Sequence, residues 1–309
     1  MSVGVRLFVG IHTPGCFGPG YARLQGETRR GDASLVCCNR RFSGYSVPCG
    51  ETTASHGVES PFLFGLAEYD RLRVVLVAAR NPLNIGAAAR AMSNFGFLRL
   101  RVVNSYDLAF REARSAVGAA TLLAQAEEYK SLAEAVADCT LVVGTTAARD
   151  RELHHTLYPL EKGAALIRQR LVSGPAALVF GSEKRGLSNE DLSHCHFLLR
   201  IGTRDQHSSM NLGQAVAVCL HELARDGSDT VRATGPDQAP MAKVERITAT
   251  LLEVLDASGY LPSGAGLRIE EKIRRLVRRL SVTADDAEVW LGILRQILWK
   301  IRSVEGPKS

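Results

Sequence analysis

Four stretches of this chain carry residue types that can close around a small polar ligand. They read Ala79-Arg80-Asn81-Pro82-Leu83-Asn84-Ile85-Gly86, Gly144-Thr145-Thr146-Ala147, Gly181-Ser182-Glu183-Lys184-Arg185-Gly186, and Ile201-Gly202-Thr203 continuing to Ser208-Ser209-Met210-Asn211. Glycine lets backbone amides approach a ligand, while Ser, Thr and Asn add short donors and acceptors.

Competing chemistries fail on particular residues. Gly181 and Gly186 have P-loop spacing, but Leu187 stands where a lysine is required. His154-His155 and His194-Cys195-His196 look metal-like in isolation, yet no further ligands cluster near them in sequence, and no metal is expected. His221-Glu222 is not a metalloprotease pair, because Arg225 occupies the second histidine position.

The elements that hold these loops alternate. Short β-branched runs at 73–79, 98–103, 140–144, 176–180 and 196–201 predict strands, and helical spacing predicts helices at 84–95, 131–138, 159–172 and 212–225. Ser131 with Glu134 predicts a capping box. Such alternation means an α/β fold with a parallel sheet, whose ligands bind beyond the carboxyl ends of the strands. All four polar stretches leave such ends.

Around this core the composition shifts. Residues 1–68 form an expected low-order tail: residues 1–66 contain 11 of the 28 glycines, four of the seven cysteines and no lysine. No secretory signal is legible there. The absence of acid before Glu27 leaves a mitochondrial transit peptide as the alternative to a translated leader. Residues 69–227 form the expected main domain, 228–240 a polar linker, and 241–309 a helical extension with helices near 241–257, 268–281 and 284–302. Seven cysteines without a C-x-x-C pair suit a reducing compartment, hence the cytoplasm. No run of 18 apolar residues suggests a membrane span. A net charge of +6 suits an anionic partner.

Three segments, taken in order, resemble the three motifs of the SpoU/TrmH branch of the SPOUT methyltransferases. They are Asn84-Ile85-Gly86-Ala87-Ala88-Ala89-Arg90, Leu178 through Ser188, and Ser208 through Val216. The resemblance covers residues 71–227 and is greatest to the TrmJ-type group. Val143 through Ala147 resembles that group's cofactor loop, and the C-terminal stretches around Lys272–Leu276 and Glu288–Leu294 resemble its helical extension. Met210 departs from the family's leucine at conserved volume.

The resemblance implies a trefoil-knotted α/β domain, a homodimer with its site at the interface, and S-adenosylmethionine as cofactor. It implies methyl transfer to a ribose 2′-hydroxyl of RNA, with tRNA nucleotide 32 as the expected target. Ribosomal RNA, a base-methylating SPOUT enzyme and a catalytically silent RNA-binding protein are the alternatives. Cofactor contacts carry over to Thr145, Thr146, Ala147, Gly181, Ile201, Ser209, Met210 and Asn211, with Ile201 acting through its backbone.

Arg90, Asn84, Glu183 and Asn211 carry over as catalytic. The family describes its arginine as a general base, but a guanidinium keeps its proton in water. Arg90 is better suited to gripping the RNA phosphate and stabilising a developing alkoxide. Glu183 is expected to fix Arg90 or the substrate. Asn84, at the expected helix start, caps it, positions Arg90 or the ribose, or does both. Ser209 and Asn211 either cap the last helix or order the site. In the extension, Ile269, Ile273, Leu276, Val277 and Leu280 fit one helix face. Arg274, Arg275, Arg278 and Arg279 are then expected on the other, as a solvated surface or a phosphate-binding face for tRNA.

Overall fold

The computed structural model describes residues 66–103, 116–147, 154–204, 206, 209–225, 236–261 and 266–305. All of them lie in one compact unit, Gly57–Ser309. The expected tail up to residue 65, and the expected linker up to residue 235, lie outside the described residues.

Seven parallel strands form one sheet: β1 Leu72–Val77, β2 Arg99–Val103, β3 Glu127–Tyr129, β4 Leu141–Thr145, β5 Leu157–Pro159, β6 Ala176–Phe180 and β7 Phe197–Arg200. Their order is β3-β2-β1-β6-β4-β7-β5. The helices are α1 Leu66–Arg71, α2 Pro82–Phe95, α3 Ala120–Ala124, α4 Leu132–Ala135, α5 Leu160–Leu171, α6 Asn189–Ser193, α7 Leu212–Ala224, α8 Met241–Ala257, α9 Leu267–Arg279 and α10 Ala284–Glu305. Strands β1, β6, β4 and β7 are adjacent, so the four polar loops that follow them share one edge of the sheet.

Both faces of the sheet are covered, which explains why its strands read as unbroken apolar runs. Val74, Leu76, Leu178 and Leu199 face a core shared with α2, α5 and α7. Their neighbours Val75, Val77, Val179 and Leu198 face a second core, filled by Met241, Val244 and Ile247 of α8 together with Val277 of α9 and Leu291 and Leu294 of α10. This face is covered by α4 and α6, with the C-terminal helices packed against them in the same core. Gln238 bridges to Thr283, and the Ala239 amide donates to the Val282 carbonyl at 2.9 Å, anchoring the end of the expected linker. Ser131 caps α4 by accepting from the Glu134 amide at 3.3 Å; Glu134 reaches back to the Lys130 amide, one residue earlier than a capping box requires.

Helix α9 keeps Val277 and Ile273 toward the core as expected but is rolled away from Leu276 and Leu280. Leu276 and Leu280 are 47% and 51% exposed, while Arg278 is 3% exposed. The cause is Glu245 of α8. It accepts from Arg274 Nε at 3.0 Å and from Arg278 Nη2 at 2.7 Å, and Arg274 Nη1 donates to Ser193 Oγ at 3.1 Å. A paired carboxylate between two guanidiniums outweighs the burial of two leucines, because leaving those charges buried alone would cost more. Arg275 faces Glu271 at 3.7 Å, and Arg279 is exposed. The four arginines thus do not share one solvated face.

Candidate active site

The loop after β1 begins with Ala78 at φ 50°, a left-handed conformation uncommon for alanine and frequent where a site needs a sharp turn. Its amide still pairs with the Val103 carbonyl at 2.9 Å. Beyond it the chain turns so that the amides of Arg80 and Asn81 each donate to the Glu183 carboxylate at 3.3 Å. Helix α2 then starts at Pro82, with Asn81 as its N-cap accepting from the Leu83 amide at 3.0 Å. The capping role considered for Asn84 falls on Asn81 instead, and the Asn84 carboxamide is left for the site.

Asn84 uses it to bridge two loops. Its Nδ2 donates to Glu183 Oε1 at 2.9 Å, and its Oδ1 accepts from Asn211 Nδ2 at 2.9 Å. Asn211 is also the N-cap of α7, accepting from the amides of Gly213 and Gln214 at 2.9 and 3.4 Å. Capping and site roles therefore coexist at Asn211. Helices α2 and α7 lie so close that a Cβ on Gly213 would come within 2.6 Å of Ala87 Cβ.

The β6 loop folds back on itself. The Gly186 amide donates to the Ser182 carbonyl at 2.8 Å, with Gly186 at φ 66°. A Cβ on Gly181 would sit 2.1 Å from the Gly186 carbonyl carbon. The glycine is thus required by the loop's own backbone.

The loops after β4, β6 and β7, with the start of α7, enclose a cleft of about 260 Å³. Thr145, Thr146, Ala147, Gly181, Ile201, Ser209 and Met210 line it, as does Glu183. Asn211 is next to it in sequence, and Asn84 joins through its bond to Glu183. The Thr145 hydroxyl donates to the Val179 carbonyl at 3.0 Å, and the Thr146 amide to the Leu199 carbonyl at 3.0 Å, so the β4 loop is tied to strands on both sides. Ile201 also packs its side chain against the core, a contact its expected backbone role did not foresee. The sequence reading missed the apolar wall: Phe180, Leu187, Leu199 and Leu212. Phe180 ends β6 and Leu212 opens α7, so their places at loop junctions were the available signal.

Glu183 is exposed, yet its carboxylate is held charged. Burial pushes its pKa up, but hydrogen bonds from Asn84 and from the amides of Glu183, Arg80 and Asn81 prevail and leave it below the usual carboxylate value. The expected Glu183–Arg90 pair is not formed. Arg90 is exposed on α2, outside the residues lining the cleft. At 1.5 Å per residue it lies about 9 Å along the helix from Asn84.

Among the described residues, no three His, Cys, Asp or Glu side chains gather as a metal set. His194 is buried and His196 half-buried, and the Val142 amide donates to His196 Nδ1 at 3.0 Å. Cys139, Cys195 and Cys219 are buried free thiols. No helix among the described residues is long and apolar enough to cross a membrane.

Comparison with known proteins agrees with this arrangement. The model of the SpoU rRNA methylase family matches residues 71–221. A tRNA (cytidine/uridine-2′-O-)-methyltransferase TrmJ of Sodalis glossinidius is 34% identical over 245 residues, 77% of this chain and 94% of its own length. A tRNA (cytidine/uridine/adenosine-2′-O-)-methyltransferase TrmJ of Pseudomonas aeruginosa is 34% identical over 242 residues, covering 74% and 93%. The crystal structure of TrmJ from Z. mobilis superposes with a TM-score of 0.65 at 30% identity, covering 73% of this chain and 98% of that one. By its three loops, its parallel sheet and these relatives, the chain belongs to the SpoU methylase family.

Proposed function

We propose that this protein methylates the ribose 2′-hydroxyl of tRNA, at nucleotide 32, using S-adenosylmethionine. The observation that carries the reading is the joining of three loops at one cleft through the Asn211–Asn84–Glu183 chain. The relatives that share nearly their full length with this chain are named tRNA 2′-O-methyltransferases.

The cleft suits the cofactor. Leu187, Leu199 and Met210 give a purine an apolar wall, and Thr145, Thr146 and Ser209 offer hydroxyls and backbone groups to its polar edges. When bound, the cofactor supplies an electrophilic methyl on a cationic sulfur. The protein's share is to align the acceptor oxygen and exclude water, and positioning of this kind is worth about 7–11 kcal/mol. Arg90 grips the adjoining phosphate and stabilises charge developing on the oxygen. Its exposure outside the cleft supports a homodimer in which one subunit's arginine serves the other's cleft. A cytoplasmic location fits the buried free thiols.

A second reading, ribosomal RNA as substrate, draws on the rRNA description of the matching family. Incubating the protein with labelled cofactor and, separately, total tRNA and ribosomal RNA decides between them. Nucleoside mass spectrometry should find 2′-O-methylated nucleosides from tRNA. Label confined to ribosomal RNA, or on a base, would overturn the proposal.

A further inference from the structure

The hydrogen bonds of the two asparagines leave no freedom in their amide orientation. Asn211 Oδ1 is held by the α7 amides, so its Nδ2 must face Asn84. That places Asn84 Oδ1 toward Asn211 and Asn84 Nδ2 toward Glu183. Glu183, an acceptor only when ionised, ends the chain and is itself gripped by the amides of Arg80 and Asn81. The strained turn at Ala78 precedes those amides and aims them. Asn211 Oδ1 is thereby filled by two amides and Asn84 Oδ1 is turned toward Asn211, while the bonds among the described residues use one N–H of each asparagine.

We infer that Glu183 is a positioning residue: with the helix cap at Asn211 it sets the direction of the Asn211–Asn84–Glu183 chain, so that each asparagine turns its carbonyl into the chain and offers the acceptor ribose an N–H donor. This rests on the methyltransferase reading above. Neither asparagine can take the proton of the attacking hydroxyl, because neither the nitrogen nor the oxygen of a carboxamide is a base near neutral pH. Instead the remaining N–H groups favour an oxygen on which negative charge grows. Glu183 stabilises that polarity from behind, since a carboxylate at the end of the chain strengthens each donor along it.

Glu183→Gln puts an N–H₂ where the Arg80 or Asn81 amide now donates, setting donor against donor and loosening the chain. Asn84→Asp sets a second carboxylate against Glu183. Protonation of the new carboxyl would restore the direction, donating to Glu183 while accepting from Asn211. Both variants are to be measured beside wild type in the full-length protein: melting temperature, S-adenosylmethionine affinity by calorimetry, and single-turnover methylation of tRNA from pH 5.5 to 8.5.

Glu183→Gln should lose tenfold or more in single-turnover rate, on the scale of removing one preorganised donor, with cofactor affinity within about threefold of wild type. Asn84→Asp should be slow at pH 8 and gain rate relative to wild type as pH falls. A Glu183→Gln rate above half of wild type, or an Asn84→Asp profile parallel to wild type, would overturn the inference. If Glu183→Gln does not fold, the Asn84→Asp profile decides alone. Failure of the wild-type protein to methylate would instead count against the functional reading, which separates the two.

Discussion

Arg278 Nη2 lies 2.7 Å from Glu245 Oε2, joining α9 to α8 through a guanidinium that is almost entirely buried. This pair fixes the roll of α9 and, with it, the helical layer packed against the cover of the sheet's second face. Glu245→Ala would strand both Arg274 and Arg278. The cost should be about 2–3 kcal/mol, below the range for a fully buried pair because the Glu245 side chain keeps 30% exposure. Thermal melting should fall by roughly 5–10 °C. An unchanged melting temperature would mean that the pair does not hold the helix.

The same geometry separates the four arginines in RNA binding. Arg279 is free to meet a phosphate, whereas Arg274 and Arg278 are committed to Glu245. Arg279→Ala should weaken tRNA affinity and reduce the slope of log affinity against log salt by about one, with little loss of stability. Arg278→Ala should chiefly lower the melting temperature. Salt titrations of both variants, read beside their melting curves, check this; equal slopes for Arg279→Ala and wild type would remove that residue from the interface.

Arg90 sits outside the cleft, so its loss should spare cofactor binding. Arg90→Ala is expected to keep S-adenosylmethionine affinity while methylation drops by more than roughly tenfold, the scale of lost electrostatic stabilisation. Calorimetry and a methyl-transfer assay on the same preparation decide it, and activity above a tenth of wild type would rule out a catalytic role.

Much of this was legible in advance. The strand runs at 73–79 and 176–180 were unmistakable because a doubly covered parallel sheet demands unbroken apolar sequence. The helix beginning near 212 announced itself by its Asn211 cap, and most of the cleft residues came from loops already marked by Gly, Ser and Thr. Short elements such as β5 and α6 were missed, since three to five residues carry too little periodicity to register. The roll of α9 was misread for a different reason. A helical wheel sees only its own helix, while Glu245 reaches in from 29 residues away to claim two arginines. Likewise the partner of Glu183 was invisible: its carboxylate is held by amides of the β1 loop, which no side-chain pattern reveals.

Three histidines, His194 buried and His155 and His196 half-buried, make stability depend on pH. Burial, reinforced by nearby arginines, pushes His155 and His194 down to about 4 and His196 to about 3. Unfolded histidine titrates near 6.5. The unfolded chain therefore binds more protons below that value, and stability falls as pH drops from about 6.5 toward 3, then levels for these groups. Unfolding at pH 5 should take up about three protons from these residues. Melting curves from pH 7.5 to 4.5 measure it, and a flat profile above pH 5 would show that the histidines are solvated.

The most direct test of the whole account is calorimetric titration of the full-length protein with S-adenosylmethionine, repeated on Gly181→Val. The wild-type chain should bind one cofactor per subunit. The variant, whose added carbons would collide with the Gly186–Leu187 backbone, should bind none while keeping the circular dichroism of a folded α/β protein. No uptake by the wild-type chain, or equal uptake by both, would contradict the placement of the methyl donor in this cleft.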